Sequence, residues 1–175
     1  VIQKDTANVP AAEVSETTKA QFYKLITFVW VYVQLAVMIW GFYWVSTQEL
    51  SFISWMAFTS GMALVTGGIG ITVAHELGHR HEKIEQTYSK ILLMTVCYMH
   101  FFIEHNHGHH LHVSTPEDPS TAAYNQNLYA FWFQTVTGTY KKAWKIQKKL
   151  NTNNNLSFFS LKNDMFWFTI IQISY

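Results

Sequence analysis

A chain of 175 residues with a formal net charge of +1 suits one domain and carries too little basic excess to call for a nucleic-acid partner. Its single cysteine, Cys97, excludes an internal disulfide and a four-thiolate iron site, so any redox chemistry must draw electrons from a separate donor. Hydrophobic residues make up 49% and charged residues 13%, and long apolar runs alternate with stretches rich in His, Lys and Asn, which predicts an integral-membrane protein rather than a soluble globule.

Residues 1–20 form a polar lead-in of mixed charge without a signal-peptide core. Within it Pro10 to Glu13 suits the first turn of a helix. The chain starts at Val1 and stops inside an apolar run, so both ends are expected to be cut. Leu25 to Val45 holds no charged residue and is long enough to cross ~30 Å of hydrocarbon. Phe22, Tyr23, Trp40, Phe42, Tyr43 and Trp44 flank it as interfacial anchors. Ser46 to Glu49 is a short connection, and a second uncharged run, 50–74, ends at His75. Its small residues Gly61, Gly67, Gly68 and Gly70 point to close helix packing, with room for a substrate as the alternative.

Lys4, Lys19 and Lys24 precede the first run, the 46–49 loop has no basic residue, and the other basic residues follow the second run. By the positive-inside rule the region after His75 faces the cytoplasm. The apolar stretch 91–103 reaches only ~20 Å and reads as re-entrant or interfacial. Residues 114–119 are a turn or loop. Residues 126–150 read as an interfacial helical region, in which aromatics lead into Lys141, Lys142, Lys145, Lys148 and Lys149. That face suits anionic headgroups or an acidic electron donor. Asn151 to Asn155 is a polar loop, and 165–175 begins another transmembrane segment.

All nine histidines fall between residues 75 and 112. His75 and His79 are four apart, so one metal can meet both on a helix face. His105 and His109 share the same spacing, with His110 ~100° further round. Two such clusters at a membrane boundary predict metal binding, with His75, His79, His105, His109 and His110 as ligands. Glu76 and Glu104 are candidates to orient ligand imidazoles, and His100 is a candidate to lie behind a ligand. His81, His107 and His112 read as lying off the ligand faces. The donor set suits Fe, Zn, Ni or Cu.

His75-Glu76-Leu77-Gly78-His79 matches the H-E-x-x-H zinc signature, which suggests an intramembrane protease with Glu76 as base. The second cluster offers more histidines than a catalytic zinc with an open position needs. A metal transporter or sensor would place its ligands near the bilayer midplane, whereas these collect at one edge.

The first cluster with Arg80, the segment His100 to His110 and the run Val113-Ser114-Thr115-Pro116-Glu117-Asp118-Pro119 together resemble the membrane alkane 1-monooxygenases of the histidine-rich desaturase and hydroxylase superfamily. The resemblance runs from about Phe22 to the end. It implies an all-α integral-membrane bundle, here incomplete, and a non-haem centre of two iron ions with O₂ as co-substrate. It further implies terminal hydroxylation of n-alkanes, electrons from rubredoxin and rubredoxin reductase, and a multi-pass location in the bacterial inner membrane. Xylene-type methyl hydroxylation and fatty acid desaturation are the alternatives within the superfamily. Arg80 stands where the family has Lys, and Ala122-Ala123-Tyr124-Asn125-Gln126 departs from its pattern. The family's third histidine box is not among these residues, so residues 1–175 alone are expected to be inactive.

Overall fold

The computed structural model describes residues 21–174. The helix start at Pro10 to Glu13 lies outside the described residues. All regular structure among the described residues is helical, as the all-α expectation requires. Helix α1 spans Gln21–Thr47 and α2 spans Phe52–Gly78, capped by the Ser51 side chain, which accepts from the Ser54 N–H. Helix α3 spans Lys83–Thr95. Helix α4 covers 101–112 and is interrupted by a π-helical turn at His105–His109. Helix α5 spans Leu128–Asn153 and α6 spans Asp164–Ser174.

Helices α1 and α2 are both long and apolar enough to cross a bilayer. Only 17% and 11% of their apolar windows are buried, so they are not the core helices of a globule. Leu25, Ile39, Phe52, Ile53 and Leu64 present their side chains outward, which suits lipid rather than water. These are the helices of a membrane protein.

The middle of α2, Leu64–Ile69, is also a π-turn, in which the Gly70 N–H reaches the carbonyl of Val65. Glycines hold the α-path weakly there, and the Thr66 hydroxyl donates back to Met62 O. Gly70 is sterically required, because a Cβ would come within 2.2 Å of Gln34 Oε1. That approach lets buried Gln34 accept from Trp30 Nε1 and donate to Thr95 Oγ1 at 2.7 Å, so both ends of a buried amide between α1, α2 and α3 have a partner. Gly61, Gly67 and Gly68 have nothing within 4 Å of a Cβ, so close packing explains only one of the four glycines among the described residues. Gly67 instead borders an apolar cavity of about 530 Å³ between α1 and α2, lined also by Met38, Gly41, Phe58, Met62 and Thr66.

The end of α2 packs along α3, where the Ser89 hydroxyl donates to Ala74 O at 2.6 Å. Leu77, Leu92 and Leu93 are fully buried there, and truncating such a leucine typically costs about 2–5 kcal/mol. The core continues through Met99, Ile103, Ala143, Met165 and Phe168. The apolar stretch 91–103 is thus not one helix. It is divided at Val96–His100, where Cys97 takes a positive φ of 52° and the Tyr98 N–H donates to Leu93 O. That turn folds α4 back beside the end of α2. Helix α5 also runs past the expected start of the Asn151 to Asn155 loop. Asn151 is buried, accepts from Gln147 Nε2, and its carbonyl takes the Asn154 and Leu156 N–H groups, so the helix ends only at Asn153.

Candidate metal centre

The first box sits in the last turn of α2 and just beyond it, and the second in the π-turn of α4. The fold between them, α3 and the turn at 96–100, brings them face to face. His75, His79, His105 and His110 present ligand nitrogens within 4.8 Å of one another. His79 Nε2 lies 3.0 Å from His75 Nε2 and 3.1 Å from His105 Nε2, and His110 Nε2 lies 3.0 Å from His105 Nε2.

These contacts cannot all be hydrogen bonds. A neutral imidazole nitrogen carries either one proton or one lone pair. His79 Nε2 faces three other Nε2 atoms, with His110 at 3.4 Å the third. One cation among the lone pairs resolves the conflict. Metal–nitrogen bonds of about 2.1 Å in tetrahedral array put neighbouring donors roughly 3.4 Å apart, close to the separations seen. The donor set therefore fits a metal ion.

Burial among the other imidazoles pushes His105 down to about 3, helped by the rings of His75, His110, His79 and His109. It is neutral at pH 7, the form that binds a metal. Its ring stacks on Phe101 at 4.6 Å, which fixes its plane.

His109 stands apart from this group. In an unbroken α-helix His109 would share a face with His105 and His110 would lie ~140° round. The π-turn closes the His110 N–H onto the carbonyl of His105, five residues back, and so carries His110 over His105. His109 instead stacks beside His105 at 5.3 Å and turns Nδ1 to Asp118 Oδ2 at 2.9 Å. With Nδ1 protonated toward that carboxylate, Nε2 keeps the lone pair and can serve a metal.

Asp118 is buried, and its loop is built around it. Oδ2 also accepts from the Thr121 hydroxyl at 2.6 Å, and Oδ1 accepts from the Ser120 N–H. Burial opposes its ionisation, but these donors and His109 hold its carboxyl below the usual range. No role for Asp118 follows from its place in a Pro-bounded turn. The available signal was a carboxylate nine residues after a ligand-spaced histidine.

Of the other candidates, His81, His107 and His112 lie off the cluster as expected, whereas Glu76 and Glu104 do not reach a ligand imidazole. Glu76 is exposed and pairs with Arg80, four residues on, so it meets no imidazole by hydrogen bond among the described residues. Glu104 is buried and faces Lys142 Nζ at 3.2 Å, again with no hydrogen bond to a ligand ring. Burial raises its carboxyl despite the nearby Lys142. His100 is buried between Tyr98 and Tyr140, with Nε2 3.3 Å from Thr139 Oγ1. Burial pushes it down to about 4. His81 is exposed, His107 is exposed, and His112 Nδ1 donates to Gly108 O.

A family model described as fatty acid desaturase matches residues 52–173. An alkane 1-monooxygenase of Alcanivorax borkumensis is 33% identical over 94% of this chain and 41% of its own length. An alkane 1-monooxygenase of Pseudomonas putida is 32% identical over 97% of this chain and 42% of its own. The hydroxylase component of a xylene/toluene monooxygenase from Pseudomonas putida is 26% identical over 65% of this chain. The chain thus spans about two fifths of the length of the alkane 1-monooxygenases it matches. The family match covers α2 to α6 and both histidine boxes, and the chain belongs to the fatty acid desaturase family.

Proposed function

We propose that this chain forms part of a membrane non-haem di-iron monooxygenase that hydroxylates the terminal methyl group of n-alkanes. One observation carries the reading most: imidazoles from two separate boxes meet nitrogen to nitrogen, in a chain whose relatives include proteins named alkane 1-monooxygenases. The proposed ligands are His75, His79, His105, His109 and His110. His75, His79, His105 and His110 would hold one iron, and His109 Nε2 would serve the other. Bound iron would supply O₂ activation and the oxidant for the methyl C–H bond. The balance is R–CH₃ + O₂ + 2 e⁻ + 2 H⁺ → R–CH₂OH + H₂O, with the electrons from rubredoxin and its reductase.

The chain's own residues have three tasks in this account. Neutral His105 offers a lone pair at physiological pH, and Asp118 holds His109 in the matching tautomer. The apolar faces of α1 and α2 draw a hydrocarbon from the bilayer, and the cavity beside Gly67 gives it room. The boxes face the cytoplasm of a bacterial inner membrane, where a soluble donor can reach them.

A zinc protease fits less well. Four imidazoles are one more than the three protein ligands a catalytic zinc takes, and the Glu76 side chain that would serve as base is paired with Arg80. Methyl groups on aromatic rings form the second reading, because of the xylene/toluene relative. The deciding experiment gives the full-length protein octane or p-xylene with rubredoxin, reductase, NADH and O₂. 1-Octanol formation that His79→Ala abolishes supports the alkane reading. Methylbenzyl alcohol alone moves the substrate to xylenes, desaturated product without alcohol moves the chain to another branch, and peptidase activity lost in Glu76→Gln replaces the reading altogether.

A further inference from the structure

Helix α5 carries a run of lysines, and one differs from the rest. Lys141, Lys145, Lys148 and Lys149 are exposed, as a headgroup or donor-binding face requires. The Lys142 side chain is only 16% exposed and points back into the protein. Its Nζ lies 3.2 Å from Glu104 Oε1 and 4.0 Å from Asp118 Oδ1, and both carboxylates are 1% exposed. Neither Nζ nor Glu104 Oε1 has an aligned hydrogen bond among the described residues, so charge rather than geometry holds the ammonium there.

The space for this arrangement is set by Gly108. A Cβ at that position would meet Glu104 Oε1 at 2.8 Å, Ile146 Cδ1 at 2.9 Å and Lys142 Cε at 3.0 Å. The π-turn that carries His109 and His110 therefore rests directly on the Lys142 stem. Two buried carboxylates that face one ammonium repel each other once that cation is removed. Asp118 is the one that touches an imidazole, and its second oxygen is the one that faces Lys142.

We propose that Lys142 is a positioning residue of the metal centre, holding Asp118 in place so that His109 presents Nε2 to the metal. The inference rests on the reading of the two boxes as one iron centre and assigns α5 a part in it. Lys142 acts through Asp118 and not through Glu104. The exposed lysines on the same helix have no such part.

The test is Fe(II) affinity of the full-length protein, measured anaerobically by competition with a chelator and followed by Mössbauer spectroscopy. Lys142→Met is expected to weaken iron binding about 10- to 100-fold, the usual effect of losing a group that orients a ligand. Asp118→Ala is expected to do the same, and the double variant no more than Asp118→Ala alone, because the two residues act in series. Glu104→Gln and Lys141→Met should keep wild-type affinity. If Lys142→Met does not fold, the charge-balanced Glu104→Gln/Lys142→Met variant serves in its place and should show the same loss. Wild-type affinity and spectrum in whichever of these folds, or losses that add in the Asp118 double, would overturn the inference. A wild-type protein that binds no iron removes the parent reading and this inference together.

Discussion

His105 and His110 hold their Nε2 atoms 3.0 Å apart because a π-turn, not an α-turn, joins them. The turn depends on Gly108, which packs against Glu104, Lys142 and Ile146. Gly108→Ala should therefore act twice. It should destabilise the protein by about 1–3 kcal/mol through overpacking. It should also lower iron content by pushing α4 away from α5. Thermal unfolding and metal analysis of the purified variant measure both, and unchanged values would show that this packing does not hold the turn.

Acid should destabilise the metal-free protein well above the carboxylate range. His100 is buried, with its folded value pushed down to about 4 from an ordinary 6.5. Between those limits the unfolded chain takes the proton and the folded chain does not. Stability is then complete above pH 6.5 and falls as the pH drops toward 4, by about 3 kcal/mol from His100 alone. His105, pushed down to about 3, adds in the same direction. Denaturant unfolding of the apoprotein across that range should show the slope, and His100→Phe should flatten it. A flat profile in the wild type would mean that His100 is hydrated.

The histidine spacing shows how far the sequence could be read. His75 and His79 lie on an unbroken helix end, so the i, i+4 rule places them together and the structure does the same. The same rule pairs His105 with His109, but the π-turn pairs His105 with His110. A π-turn has no strong local signal beyond a glycine, and the one that fixes it, Gly108, depends on contacts from a helix more than thirty residues later in the chain. Lys142 was legible only as one lysine in a basic run. Its burial depends on which face of α5 meets α4, and Ala143 and Gln147, rather than any apolar stripe, mark that face. The two long apolar helices needed only length and absence of charge, and both are present.

The proposed orientation is tested by labelling. The connection after α1 should lie in the periplasm, opposite the metal centre. With Cys97 replaced by Ala, Thr47→Cys should react with an impermeant maleimide in intact cells. Reaction only after the inner membrane is opened would reverse the topology and put the centre on the wrong side for a cytoplasmic donor.

The most direct test of the central claim is the iron content of the full-length protein and its response to single histidine changes. The account predicts two irons per chain. His79→Ala and His110→Ala, which remove donors from opposite boxes, should each lower that content and abolish alcohol formation from octane. His81→Ala, which removes an exposed imidazole two residues from the first box, should leave both unchanged. One tightly bound zinc in place of iron, or wild-type iron content in both His79→Ala and His110→Ala, would contradict the claim that the two boxes build one iron centre.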